Sequence, residues 1–267
     1  MRYKLFFLFL LFPVETFAWT VYTGIDVFDH DYSEYDQSGN ELVNERGRLS
    51  NYFVGASYVV NNRLEVAVET SRLTGDVDYR GSTQSGTALT TDTDYDIDRL
   101  SLALAYTFHI NQWSIAPKVA YAEYQWQRGI LPTAISLPLE IEYSWQRRSL
   151  SIDIVKPTGW GAIGFTWETF KNHDIKAELD LRRFNLGKPE LALADDKGNR
   201  YTVTNYLHFS NWVFSQALYF ENQGFAASDF VSISGGGRTL LVQEPDSETD
   251  HLGITLSVSY QFGRQEH

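Results

Sequence analysis

From residue 99 to 108 the chain reads RLSLALAYTF. Leu100, Leu102, Leu104, Tyr106 and Phe108 fall on one side of an extended backbone, and Ser101, Ala103, Ala105 and Thr107 on the other. Successive side chains of a strand point to opposite faces, so a period of two is a strand signal. The pattern recurs. Val21, Thr23, Ile25 and Val27 alternate with Thr20, Tyr22, Gly24 and Asp26, and Leu64, Val66 and Val68 oppose Glu65, Ala67 and Glu69. Near the end, Ile254, Leu256, Val258, Tyr260 and Phe262 oppose Thr255, Ser257, Ser259 and Gln261. In water a sheet with such a face needs a second layer to cover it. In a bilayer lipid covers it, and a strand of about 9–11 residues spans with its apolar side out, its polar side in and aromatics at the rims. Phe, Trp and Tyr make up 15% of the chain and sit within these runs.

The rest of the composition agrees. Residues 1–18, MRYKLFFLFLLFPVETFA, carry two early basic residues, an apolar run and a small residue at the end, the layout of a secretory signal peptide. That run is far shorter than the ~20 residues of a membrane helix. There is no cysteine, so no disulfide braces the exported chain, and the net charge of −12 excludes a nucleic-acid partner. Residues 19–262 are expected to form the barrel and residues 263–267, GRQEH, a short periplasmic tail.

Short and long spacers take turns between the strands. Asn61-Asn62, Ile110-Asn111-Gln112 and Lys171-Asn172-His173 read as tight turns, because Asn tolerates left-handed backbone. Residues 33–48, 80–94, 187–199 and 243–250 read as long polar loops. The alternation of the two matches periplasmic turns and extracellular loops. Residues 137–170 decide the strand count. A turn at Arg147-Arg148 pairs Trp145 with Leu150, and one at Pro157-Thr158 pairs Ile152 with Ile163, which keeps one apolar face throughout. With residues 201–220 as a strand, 221–224 (ENQG) as a turn, and 225–242 rising to a break at Gly235-Gly236-Gly237, the expected fold is an all-β, antiparallel, up-and-down transmembrane barrel of twelve strands. The alternative is ten, with 137–156 as a single strand or part of an extracellular hairpin. An even count returns both ends to the periplasm. Closure leaves no unpaired edge in lipid.

With the apolar neighbours facing lipid, the charges expected in the lumen are Glu65, Glu69, Lys118, Glu140, Glu142, Asp153, Glu168, Lys176, Glu178, Asp180 and Arg182. They serve either to fill a narrow barrel with ion pairs or to line a small pore that favours cations. Asp92, Asp94, Asp96 and Asp98 alternate as TDTDYDID, a solvated rim or a weak Ca²⁺ site beside Asp76 and Asp78. No His/Cys cluster for zinc stands in the sequence, and no cofactor is expected.

Signal peptide, alternating strands, short and long connections and the closing VSYQF resemble the Gram-negative outer-membrane β-barrel proteins. In size and expected strand number the chain is similar to the solitary autotransporter-like barrels. That resemblance implies the outer membrane as location. It implies lipids, lipopolysaccharide, the barrel-assembly machinery and periplasmic chaperones as partners, and Tyr260 and Phe262 as the assembly signal. The stretch YLHFSNW, 206–212, resembles the His-x-Ser-Asn segment of outer-membrane phospholipase A and of the lipid A 3-O-deacylases. It implies His208 as base and Ser210 as nucleophile of a lipid hydrolase, with Asn211 matching the motif's Asn; Glu221 and Asn222 are candidates for a third member by order alone. Trp212 stands where the phospholipase family has Gly, and the enzyme is the lesser expectation. The leading one is a structural, small-pore or surface-interaction barrel, with binding through loops 33–48 and 80–94 as a further alternative.

Overall fold

The computed structural model describes residues 18–60, 63–82 and 86–262. Residues 1–17 of the expected signal peptide, the Asn61-Asn62 turn and the tail 263–267 lie outside the described residues. Fourteen strands follow in chain order: β1 (Ala18–Tyr35), β2 (Glu41–Val60), β3 (Leu64–Ser82), β4 (Ala88–Tyr106), β5 (Phe108–Ile110), β6 (Trp113–Ile130), β7 (Leu139–Thr158), β8 (Gly161–Asp180), β9 (Glu190–Ala194), β10 (Asp196–Phe209), β11 (Trp212–Ser228), β12 (Val231–Gly235), β13 (Arg238–Val242) and β14 (Asp246–Phe262). One turn of 3₁₀ helix, Arg182–Phe184, precedes β9. No helix among the described residues is long and apolar enough to cross a membrane.

Ten long strands pair in the order β1, β2, β3, β4, β6, β7, β8, β10, β11, β14, all antiparallel, and β14 pairs back on β1. The main sheet holds twelve segments, the expected number, but they are not the expected twelve. The short β5 runs only beside β6, and the short β9 lies between β8 and β11 beyond the end of β10. The ring itself has ten members. Residues 137–156 fall in one strand, β7, as the ten-strand alternative has it. There is no turn at Arg147-Arg148, none at Lys171-Asn172-His173 and none at 221–224, all of which lie inside strands. The turn expected at Pro157-Thr158 falls two residues later, and Ile152 pairs with Trp167 rather than Ile163. A shift of this size is even, so the same face points out.

Among the described residues the tight turns of the main sheet are 111–112, 159–160 and 210–211, at the end where Trp19 pairs with Phe262. Asn111 and Ser210 adopt left-handed backbone there, with φ of 54° and 52°. The longer connections all lie at the other end. Short turns mark the periplasmic side, so Trp19 and Phe262 stand at the foot of the barrel and the long connections at its mouth.

The strands are twice as long as a bilayer requires. Nine of the ten have 17–20 residues. At about 3.3 Å per residue and a tilt of about 40° they rise about 45 Å, against an apolar band about 25 Å tall. The two halves differ in polarity. Along the lower part of β3, Val66 and Val68 are exposed and Glu65 and Glu69 point in; along its upper part Asp76 and Asp78 are exposed and Val77 and Tyr79 are buried. The phase never changes, but the two faces exchange character. On β4 the same exchange separates exposed Leu100, Leu102 and Leu104 from buried Tyr95. The lower half is therefore clothed in apolar side chains that water would not tolerate, each worth about 1.5–3 kcal/mol if buried. The upper half has a charged exterior around a packed apolar core of Phe28, Leu49, Tyr95, Trp126, Tyr143, Trp145, Leu191 and neighbours. Most of the residues expected as polar loops at 33–48 and 80–94 are the walls of this upper half.

Residues 225–242 do not form a spanning strand. β11 ends at Ser228, and β12 and β13 form a separate hairpin turning at Gly236 and Gly237, both at positive φ. Val231 and Val242 of that hairpin pack on the upper core, so it lies over the barrel mouth.

Candidate functional site

Two clusters of polar side chains occupy the interior, one above the other. The upper one centres on Arg128, carried by β6 and 2% exposed. Its guanidinium reaches Glu45 of β2 at 2.6 Å and Glu34 of β1 at 2.7 Å, both buried. Tyr32 donates to Glu34 at 2.9 Å, Thr93 to Glu45 at 3.0 Å, and Tyr95 also donates to Glu45. A third carboxylate comes from above. Glu244, in the connection between β13 and β14, is buried and accepts from the Tyr143 hydroxyl. Its backbone is clipped to Ser228 through N–H to Oγ at 2.9 Å and C=O from N–H at 3.0 Å. Three buried carboxylates thus face one guanidinium. Burial, with Glu34 adding to it, pushes Glu244 up to about 7.

Beside this cluster His30 Nδ1 lies 2.9 Å from His251 Nε2, and His30 Nε2 lies 3.2 Å from the Tyr95 hydroxyl. Since Tyr95 spends its proton on Glu45, it accepts from His30 Nε2–H, and His30 Nδ1 then accepts from His251 Nε2–H. Arg128 also lies 4.9 Å from the Tyr32 ring centre, and Trp126 stacks on Tyr143 at 4.5 Å. Rings and ion pairs together occupy most of the upper half; a space of about 90 Å³ remains between Phe28, Trp145 and His251 and the arginines below them.

The second cluster begins beneath it. Arg147 of β7 bonds Asn172 at 3.0 Å and Glu221 at 3.2 Å, also donates to Gln223, and lies 3.7 Å from the Phe170 ring centre. Arg200 shares Glu221 at 3.4 Å and lies 3.9 Å from the Tyr219 ring centre. Below these is a cavity of about 360 Å³ lined by four cations, Arg99, Lys118, Arg147 and Arg200, and five carboxylates, Glu65, Glu69, Asp153, Glu168 and Glu221. Ala67, Ala103, Ala105, Ala116, Ala120 and Ala122 also line it, interleaved with Glu65, Glu69, Arg99 and Lys118 on β3, β4 and β6.

Of the charges expected inside, Glu65, Glu69, Lys118, Asp153 and Glu168 line this cavity together. Glu140, Glu142, Lys176, Glu178, Asp180 and Arg182 do not. They sit at the outer surface of the upper half or in the connection beyond it, where Lys176 pairs with Glu190, Lys188 with Glu178, and Arg182 with Asp180. Because no turn interrupts β7, the phase set by exposed Leu150 and Ile152 runs on to Glu142 and Glu140 and turns them outward. On β8 a bulge at Asp174, φ 53°, shifts the phase and turns Ile175, Ala177 and Leu179 inward. Asp92, Asp94, Asp96 and Asp98 lie on the outer face, where Asp94 pairs in register with Asp76 and Asp92 with Asp78. Asp96 is bridged to Arg72. No group of three or more His, Cys, Asp or Glu side chains placed to hold a metal occurs among the described residues.

The His-x-Ser-Asn segment is a hairpin turn at the foot. His208 pairs with Val213, Ser210 supplies the left-handed turn residue, and both are exposed. Among the described residues no hydrogen bond joins His208 to Ser210. Tyr260 and Phe262 stand on the outer face of β14 with ring centres 4.6 Å apart, and Trp212 lies 4.8 Å from Tyr260.

The interior residues that sequence reasoning missed are Glu34, Glu45, Arg128, Glu244, His30, His251, Arg147, Arg200 and Glu221. Counting by twos upward from a lumen-facing residue finds many of them: from Gly55 through Phe53, Asn51, Leu49 and Gly47 the count arrives at Glu45.

No protein-family model matches the chain, and no curated protein does. The likeness is to solved structures. The outer membrane protease OmpT from Escherichia coli aligns with a TM-score of 0.66 at 8% identity, over 94% of this chain and all (100%) of that one. The beta domain of the Bordetella autotransporter BrkA gives a TM-score of 0.43 at 11% identity over 91% and 98% of the two chains. OprG from Pseudomonas aeruginosa gives 0.37 at 12% over 92% and 96%. The shared fold is that of Gram-negative outer-membrane β-barrels, and with the exposed apolar band it places the chain in the outer membrane as a multi-pass barrel.

Proposed function

We propose that this is an outer-membrane barrel with a closed lumen that acts as a structural or surface-interaction element through its mouth, and not as a pore. One observation carries the reading: the upper half is mostly filled by the buried Arg128–Glu34–Glu45 network and the aromatic core around it. A hydrated path needs a continuous polar channel, and stacked rings with a desolvated ion pair do not supply one. Purified protein in planar bilayers is therefore expected to show no conductance step above leak at any voltage. Steps of a reproducible size would overturn the reading.

The mouth also carries apolar side chains that lipid does not cover. Ile135 and Leu137 lie between β6 and β7, Phe230 and Leu241 on the connection that bears the hairpin, and all are more than half exposed. They stand beyond the charged upper wall, and exposed apolar residues there favour contact with another molecule. The connections 131–138 and 229–245, more than 33–48 and 80–94, carry the surface role. At the foot, Tyr260 and Phe262 serve as the signal read by the assembly machinery after delivery by periplasmic chaperones, while lipids and lipopolysaccharide surround the band. Phe262→Ala is expected to lower the yield of folded barrel in outer-membrane fractions severalfold, scored by heat-modifiable mobility on gels. Yields equal to wild type would count against the signal.

A further inference from the structure

We propose that the alanine-lined cavity is a blind vestibule, entered from the periplasmic foot, that takes up small organic cations. The inference rests on the closed-lumen reading for the word blind and on the cavity itself for the rest. The roof is built from Arg147, Glu221 and Arg200. Downward the space reaches Ala105 and Ala116, close to where β4 ends at Tyr106 and β6 begins at Trp113.

Five carboxylates face four cations inside the cavity, which leaves one negative charge over. Arg147 and Arg200 share the one carboxylate of Glu221 and otherwise meet amide oxygens and the rings they lie on. Arg99 is consumed by Glu69. Lys118 stands 3.5 Å from Asp153, a loose pair. Glu65 and Glu168 make no close ion pair and no hydrogen bond among the described residues, although both line the space and Glu168 is near enough to Lys118, Arg147 and Arg200 to act on them through its charge. Asp153 adds a buried oxygen, Oδ1, that has no hydrogen-bond partner. A net negative charge in an enclosure of lower dielectric attracts a cation more strongly than it would in water. Methyl groups stand between these charges on the same strands, with Ala105 opposite Glu65 and Ala116 opposite Asp153, and offer a dry surface to a carbon skeleton beside a carboxylate. An ammonium group on a short alkyl frame suits carboxylates set among methyl groups, and 360 Å³ holds one such molecule with a few waters.

The chain has no cysteine, so Ala103→Cys places a single thiol among these methyl groups. Two membrane-impermeant methanethiosulfonates of similar size, one bearing trimethylammonium and one sulfonate, then read the field at that thiol in the full refolded chain. After correction for their rates with a free thiol, the cationic reagent is expected to react about tenfold faster. Adding Glu65→Gln and Glu168→Gln should bring the ratio close to one. Millimolar putrescine should slow the cationic reagent only while both carboxylates are present.

Three results overturn the proposal: a folded, heat-modifiable Ala103→Cys barrel that neither reagent labels, a ratio near one, or a ratio that the two Glu→Gln changes leave intact. The last would assign the preference to the net charge of −12 spread over the whole protein. Conductance separates this outcome from failure of the closed lumen. A barrel silent in bilayers but unlabelled keeps the closed lumen and loses the vestibule. One that conducts and labels loses the closed lumen and keeps the cation preference.

Discussion

Arg128→Ala is expected to destabilise the barrel by about 3–5 kcal/mol, measured as the shift in denaturant unfolding in lipid vesicles. The substitution strands two carboxylates, Glu34 and Glu45, in a site where Glu45 has no exposed surface at all. Removing one partner of a buried ion pair costs this much because the other charge keeps its desolvation penalty. The magnitude is therefore a statement about what is left behind more than about the pair. A second variant tests that account. Arg128→Met with Glu34→Gln and Glu45→Gln removes all three charges and should recover most of the loss, since apolar or neutral replacements of a whole buried cluster are often close to neutral. A loss below about 1 kcal/mol for Arg128→Ala would mean that water reaches the guanidinium site, and would remove the main support for a closed lumen.

The false turns of the sequence share one physical cause. Arg147-Arg148, Lys171-Asn172-His173 and 221–224 each interrupt an apolar alternation with polar residues, and each was expected to leave the barrel wall. In the structure Arg147 bonds Asn172, Glu221 and Gln223 across the interior. Three apparent turns are one internal girdle, set at the level where the lipid-facing exterior gives way to a water-facing one. There, outward residues such as Arg148 and Lys171 become charged while inward ones are still polar, so both faces look hydrophilic and the strand signal fades. Lipid-facing residues of the lower half were legible because the solvent on that side is uniform: the exposed Ile254, Leu256 and Phe262 of β14 stand where period two places them. The upper half was illegible because the rule of apolar outside holds only within the bilayer. Above it the rule of apolar inside returns, on the same strand and in the same phase. Glu140 and Glu142 were assigned inward for that reason, and Ile141 and Tyr143 outward. Interior residues such as Arg128 and Glu45 pair across 83 positions of sequence, a contact that no local pattern encodes.

Glu244 makes the hairpin over the mouth sensitive to pH, and the direction follows from which form the fold prefers. Its carboxyl is raised from an ordinary 4.5 to about 7 by burial and by Glu34 beside it. The folded loop therefore favours the protonated acid. Stability from this preference is present in full below about pH 4.5 and is lost as pH rises through about 7. By pH 8.5 the loss corresponds to roughly 3 kcal/mol, at 1.36 kcal/mol for each pH unit between the two values. The barrel need not unfold to relieve it. Gln243, Glu244 and Asp246 hold the connection to the ends of β11 through Ser228 and Ala227, and lifting that connection brings the carboxylate to water while the ring of strands stays paired. Amide exchange along Val231–Val242 should therefore accelerate between pH 5 and 8.5 relative to Glu244→Gln measured at the same pH, a comparison that cancels the pH dependence of exchange chemistry itself. The amide keeps the acceptor for Tyr143 without the charge, so its hairpin should stay closed throughout. Equal exchange in the two proteins across the range, or protection in the wild type that grows with pH, would show that Glu244 does not hold the mouth shut.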